Sequence, residues 1–165
     1  MGTPEEGAPT EGTQGGASRD RASRECKTIL VVEDSRDIRK MLILLLQTRV
    51  RARILGASEG RTALHFACRE RPDLILMDIM LPEMDGLETT RRLKAEPKTA
   101  HIPVVAVSDL CIDKEWKDKA LAAGCERGMS KMEVLDNLSD LVNLITATLD
   151  DPATVDVPGQ EAAKS

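Results

Sequence analysis

Three carboxylates follow two short apolar runs, and they are the residues best placed to do chemistry. Asp78 ends the run 73–78, and Glu33 and Asp34 directly follow the run 28–32. Two carboxylates about 5 Å apart repel each other by roughly 3 kcal/mol at an effective dielectric constant near 20, which favours a cation among them. Hard oxygen ligands favour Mg²⁺. The pattern therefore predicts a magnesium site, although each acid taken alone is typical of a solvated loop.

Two further polar side chains follow later apolar runs. Ser108 follows the run 102–107, and Lys131 comes shortly after the run 125–129. A hydroxyl and an ammonium that face a carboxylate cluster with Mg²⁺ have one common target, a phosphoryl group whose oxygens must be neutralised during transfer. Asp78 is then the natural nucleophile. Taken singly, the serine is more often a helix cap and the lysine a solvated charge, so the prediction depends on their conjunction.

The elements that must position these residues are five apolar runs that alternate with five amphipathic segments. The predicted strands are 27–33, 51–57, 73–78, 102–107 and 125–129, and the predicted helices are 36–49, 59–70, 85–95, 113–123 and 133–149. Crossover helices between such strands indicate a parallel sheet covered on both faces, a doubly wound α/β fold. Ligands of such sheets bind at the carboxyl ends of the strands, where the candidate residues fall.

The two ends of the chain differ in composition from the segment between them. Residues 1–25 are rich in Gly, Thr, Glu, Pro, Ala and Ser, and residues 150–165 have a similar character. Neither segment carries enough apolar residues to offset the entropy of ordering. We therefore predict one folded domain at 26–149 between a disordered amino-terminal tail and a flexible carboxy-terminal tail.

Composition argues against several classes of function. The net charge is −5 and the only Phe, Tyr or Trp residues are Phe66 and Trp116, which argues against nucleic acid binding. The longest apolar stretch, 41–46, is far shorter than the roughly 20 residues of a membrane span. The four cysteines are scattered and lack metal-site spacing, as expected of reduced thiols. These features predict a cytoplasmic protein that binds neither nucleic acid nor membrane.

The same residues resemble the receiver domain of two-component response regulators over about residues 26–149. The resemblance lies in the motifs at 29–35 and 76–86, and in Ser108 and Lys131, which occur in the family's order and near its spacing. It implies a flavodoxin-like fold with a five-stranded parallel sheet, strand order 2-1-3-4-5, and five helices.

The resemblance also implies roles for single residues. Asp78 would accept a phosphoryl group from a sensor histidine kinase or a histidine phosphotransfer protein, and Ser108 and Lys131 would contact the phosphoryl oxygens. Mg²⁺ would be bound by Asp34, Asp78 and the backbone carbonyl of Met80.

The acidic residue before Asp34 completes this implied set, because Glu33 would act on the metal through a coordinated water. The chain would then be a phosphoacceptor signalling protein rather than an ordinary enzyme, one that catalyses its own phosphotransfer and dephosphorylation. Because no further domain follows 26–149, we expect a stand-alone regulator that signals to an unknown downstream protein.

Several positions depart from the family pattern. Gly128 stands where the family usually has an aromatic residue, Met132 replaces a proline after the lysine, and Asp109 replaces a small residue. These changes would be the marks of an alternative, a pseudo-receiver that binds partners independently of phosphorylation. All five reaction residues of the family are present, however, which favours the phosphorylatable receiver. A phosphatase acting on small molecules predicts a second acid where the chain has Met80, which argues against that class. Met80 also offers no polar group to orient a hydrolytic water, which predicts a slow loss of the phosphoryl group.

Overall fold

Five apolar segments form a parallel sheet in the computed structural model, which describes residues 26–150. The strands are β1 Lys27–Val32, β2 Ala52–Ala57, β3 Leu74–Met77, β4 Val104–Val107 and β5 Arg127–Met129. Their order across the sheet is β2-β1-β3-β4-β5, all parallel, as predicted. The predicted tails lie outside the described residues, except for position 150.

The described residues contain six α-helices, where five were predicted. They are α1 Arg36–Gln47, α2 Gly60–Glu70, α3 Gly86–Ala95, α4 Lys114–Ala123, α5 Lys131–Asp136 and α6 Leu138–Leu149, and a 3-10 turn covers Asp109–Ile112. The single helix predicted at 133–149 is therefore wrong. Asn137 interrupts it with φ −140° and ψ 71°, outside the helical region. Ser130 caps the amino terminus of α5, so that helix begins at Lys131.

The central strands are apolar on both faces because helices cover both faces of the sheet. Alternate residues of β1 divide between two core layers, with Leu30 and Val32 on one side and Ile29 and Val31 on the other. The first layer packs against α2, α3 and α4, and the second packs against α1, α5 and α6. Among the described residues, no helix is long and apolar enough to cross a membrane.

Strand register places the carboxyl ends of neighbouring strands side by side. Val32 of β1 pairs with Met77 of β3, so the residues that follow them leave the sheet at the same level. The amide of Asp78 donates to the carbonyl of Val32 at 2.9 Å. Between β4 and β5, the amide of Ser108 donates to the carbonyl of Met129 at 3.0 Å. The sheet thereby brings the predicted site residues to a single edge.

Candidate functional site

The three predicted carboxylates form one cluster at this edge. Oxygen atoms of Glu33, Asp34 and Asp78 all lie within 4.8 Å of one another. Glu33 and Asp78 are buried, with 1% and 3% of their surface exposed, whereas Asp34 is exposed. The cluster is therefore open to solvent on the side of Asp34 and closed on the side of the sheet.

Lys131 contacts both buried carboxylates. Its Nζ lies 2.7 Å from Oε2 of Glu33 and 3.1 Å from Oδ2 of Asp78. The lysine is the first residue of α5, and the Ser130 cap fixes where that helix begins. One ammonium thus faces a cluster of three carboxylates, which leaves an excess of negative charge for a further cation.

Burial shifts the pKa of Glu33, the most deeply buried acid of the cluster. It raises the pKa of Glu33 to about 7, and the negative charge of Asp78 adds to this rise, although the contacts with Lys131 and Ser35 oppose it. The pKa of Lys131 is raised: burial lowers it, but the hydrogen bond to Glu33 and the charge of Asp78 outweigh that effect. Lys131 therefore stays charged at neutral pH. Hard oxygen donors with uncompensated charge fit Mg²⁺ well.

Backbone contacts hold the acidic side chains in place. Oε1 of Glu33 accepts a hydrogen bond from the Ser35 amide at 3.1 Å, and Oδ1 of Asp78 accepts one from the Met80 amide at 3.2 Å. The predicted role of the Met80 carbonyl stays a prediction. The side chain of Met80 is 60% exposed. A methionine at this position therefore borders the site without offering it a polar group.

Arg39 supports the site and was not among the predicted residues. Its Nη1 donates to the carbonyls of Glu33 and Asp34 at 2.6 and 3.4 Å, and so clamps the loop that carries both acids. A basic residue near the start of the helix that follows an acidic strand end is the sequence signal that could have suggested it. Gly86 is a second support, since a Cβ there would lie 1.9 Å from the carbonyl oxygen of Asp78.

Ser108 lies at the end of β4, next to the strand that carries Asp78. The residue is fully buried, and its Oγ has no hydrogen-bond partner within residues 26–150. A buried hydroxyl without a partner carries a desolvation cost that a ligand oxygen would relieve. Asp109, which follows it, is exposed and begins the 3-10 turn.

The side of the domain formed by α4 and β5 differs from the predicted family pattern at Gly128. A Cβ on this glycine would lie 3.2 Å from Sγ of Cys111 and 3.3 Å from the Cα of Lys117. The backbone of α4 therefore packs directly over the position where the family usually has an aromatic side chain. Met132 follows Lys131 through a trans peptide bond, as expected of a residue other than proline, and is 57% exposed.

Comparison with known proteins identifies the fold and its relatives. The family model of the response regulator receiver domain matches residues 29–143. The polar-differentiation response regulator DivK of Brucella anthropi is 39% identical over 105 residues, which cover 64% of this chain and 84% of that protein. A protein-glutamate methylesterase/protein-glutamine glutaminase of Syntrophus aciditrophicus is 39% identical over 109 residues. That match covers 64% of this chain but 30% of the methylesterase, so the chain spans less than a third of that relative.

One solved structure of a similar domain contains a metal ion. The receiver domain of the sensor histidine kinase PA1611 from Pseudomonas aeruginosa has a magnesium ion coordinated in its active site cleft. It is 25% identical to this chain, with a TM-score of 0.66, and the match covers 76% of this chain and 99% of that domain.

Proposed function

We propose that this chain, which belongs to the family of response regulator receiver domains, accepts a phosphoryl group on Asp78. The observation that carries the proposal is the position of Lys131, whose ammonium lies between the buried carboxylates of Glu33 and Asp78. The buried hydroxyl of Ser108, which lacks a partner in the described part of the chain, supports it. Together these groups form a site for the oxygens of a phosphoryl group.

The reaction would be a displacement at phosphorus. An oxygen of Asp78 forms a bond to the phosphorus of a phosphohistidine, the bond from phosphorus to the imidazole nitrogen breaks, and the imidazole keeps that electron pair and takes up a proton. Lys131 gives up a carboxylate contact and binds a phosphoryl oxygen. Ser108 donates its hydroxyl proton in a hydrogen bond to another. The catalytic contribution is mainly positioning and charge neutralisation.

The acidic cluster is also the place for Mg²⁺. Asp34 and Asp78 would hold the ion with the carbonyl of Met80, and Glu33 would act through a coordinated water. When bound, the ion supplies positive charge next to the phosphoryl oxygens. Without the ion, the ammonium of Lys131 faces three carboxylates that carry more negative charge than it can neutralise, so we expect phosphorylation to require the metal.

The partners that fit this chemistry are proteins. The phosphoryl donor would be a sensor histidine kinase or a histidine phosphotransfer protein, and the phosphorylated chain would act by contacts with a downstream protein. The chain would then be a signalling protein that catalyses its own phosphorylation and dephosphorylation.

Intact mass after incubation with Mg²⁺ and acetyl phosphate tests the proposal. The wild type should gain the mass of one phosphate, and Asp78→Asn should gain none. Asp73→Asn is the matched control, since it makes the same chemical change at the amino end of the same strand, where an amide oxygen can still accept from the Thr28 amide. A wild type that gains no mass, or an Asp78→Asn variant that gains as much, would reject the proposal in favour of a pseudo-receiver.

A further inference from the structure

Helix α4 approaches β5 at a residue that has no side chain. The space above Gly128 is taken by the backbone of α4 at Lys117 and by Cys111, at distances that leave no room for an aromatic ring. A side chain that moves inward at this position therefore cannot transmit a change from the acidic cluster to α4. Another contact must do so if the two are coupled.

An ion pair joins α4 to the start of α5. Nζ of Lys117 donates to Oε1 of Glu133 at 2.9 Å. The other carboxylate oxygen of Glu133 accepts from the Ser130 amide at 2.7 Å, and the Ser130 hydroxyl accepts from the Glu133 amide at 3.0 Å. The carboxylate is therefore anchored on the residue that immediately precedes Lys131.

We propose that Glu133 is a positioning residue that couples Lys131 to helix α4 through Lys117. The inference rests on the proposed function, because it assigns the route by which phosphorylation of Asp78 would reach α4. When Lys131 shifts from the carboxylates to a phosphoryl oxygen, the first turn of α5 shifts with it. Glu133 lies in that turn, so its carboxylate shifts too, and the ion pair transmits the shift to Lys117 and to α4.

Both partners of the ion pair are held on their own elements. Glu133 is held by its two bonds to Ser130, and Lys117 is held by the close packing of its backbone over Gly128. The hydrogen bond from Lys117 lowers the pKa of Glu133, so the carboxylate stays ionised at neutral pH. The side chains are 33% and 48% exposed. A pair this exposed contributes little to folding stability, so its loss should change coupling more than stability.

Hydrogen exchange in the full chain, with and without beryllofluoride and Mg²⁺, tests this route. In the wild type we expect exchange in α4 to change when the phosphoryl mimic binds. Lys117→Met and Glu133→Gln should each reduce that change at least twofold, and the double variant should reduce it no further, because both substitutions interrupt one route. The amide that replaces the Glu133 carboxylate keeps an oxygen that can accept from the Ser130 amide, so α5 stays capped.

Lys114→Met is the matched control. Lys114 pairs with Asp118 inside α4 at 2.6 Å, so its loss removes an ion pair from the same helix without touching α5. It should respond like the wild type. A wild-type response in both Lys117→Met and Glu133→Gln, or an equal loss in Lys114→Met, would overturn the inference.

A second arm separates this inference from the proposed function. If the mimic changes hydrogen exchange nowhere in the wild type, the phosphorylation proposal fails. The coupling is then tested with a variant that needs no phosphoryl mimic. Lys131→Met, measured without the mimic, should alter exchange in α4 at least twofold in the wild-type background and leave it unchanged in the Lys117→Met background. The same effect in both backgrounds would overturn the coupling.

Discussion

The acidic cluster and the α4–β5 side of the domain are built from different kinds of contact. The cluster consists of charged groups at strand ends, where Lys131 lies 2.7 and 3.1 Å from two buried carboxylates. On the α4–β5 side, Lys117 and Cys111 pack closely over Gly128, which is possible because glycine has no side chain. The cluster should therefore be sensitive to side-chain charge, pH and cations. The α4–β5 side should be sensitive to side-chain volume.

Removal of the charge of Lys131 should have the largest effect on the cluster. Lys131→Met should slow phosphorylation by acetyl phosphate by about 100-fold or more, because it removes a preorganised donor to the phosphoryl oxygens. Lys114→Met, in the exposed part of α4, should change the rate less than about twofold. Rates from intact mass over time make the comparison, and a similar loss in both variants would contradict the assigned role.

Added volume at Gly128 should have the largest effect on the α4–β5 side. Gly128→Tyr should lower the free energy of unfolding by about 1 to 3 kcal/mol, because the ring must displace α4. Ala122→Tyr, at an exposed position of α4, should lower the free energy of unfolding by about 0.5 kcal/mol or less. Urea denaturation measures both. Equal stability of Gly128→Tyr and wild type would mean that the space above β5 is open after all.

A lower pH should weaken Mg²⁺ binding by the cluster and leave the packing of the α4–β5 side unchanged. Because burial raises the pKa of Glu33 to about 7, protons compete with Mg²⁺ for the cluster below that pH. Mg²⁺ affinity, measured by calorimetry, should rise with pH up to about 7 by at most about tenfold per pH unit, and then level off. Glu33→Gln should remove most of this slope. An unchanged slope in that variant would assign the proton to another group.

The same shift has a consequence for the metal-free protein. The folded pKa of Glu33 lies above its ordinary value of 4.5, so the folded state holds a proton that the unfolded state releases. The contribution of Glu33 to stability is therefore fully present below pH 4.5 and is lost as the pH rises to about 7. Mg²⁺ should offset this loss at neutral pH, because it binds the ionised cluster.

The smallest expected effect concerns Met80, at the edge of the cluster. Met80→Asn adds an amide that can orient a hydrolytic water, and should speed the loss of the phosphoryl group by roughly tenfold. Met132→Asn makes the same change at an exposed residue beside Lys131 and is the matched control. The lifetime of the phosphorylated form measures both effects. An equal or larger acceleration in Met132→Asn would show that any added polar group acts this way.

The composition of the cluster could be predicted because strand order follows from apolar runs and crossover helices. The carboxyl ends of parallel strands meet at one edge, so acids after β1 and β3 had to lie close together. The loop contacts could not be predicted, because they depend on the path of the backbone. The donation by Arg39 to two carbonyls is such a contact. The roles of the individual site residues stay predictions.

The segment predicted as one helix at 133–149 shows what sequence patterns leave open. Its apolar periodicity continues across Asn137, which is neither glycine nor proline, so one helix was predicted where two occur. The start of α5 was within reach of prediction, because Ser130 and Glu133 have the spacing of a capping box. The close packing at Gly128 was not, since it depends on the distance between α4 and the sheet.

Hydrogen exchange of the wild type, with and without beryllofluoride and Mg²⁺, tests most directly the claim that a change in the cluster reaches α4 without an aromatic side chain in β5. The predicted result is a change in exchange at 108–120 and in the first turn of α5. Changes confined to β5, with 108–120 unaffected, would contradict the account.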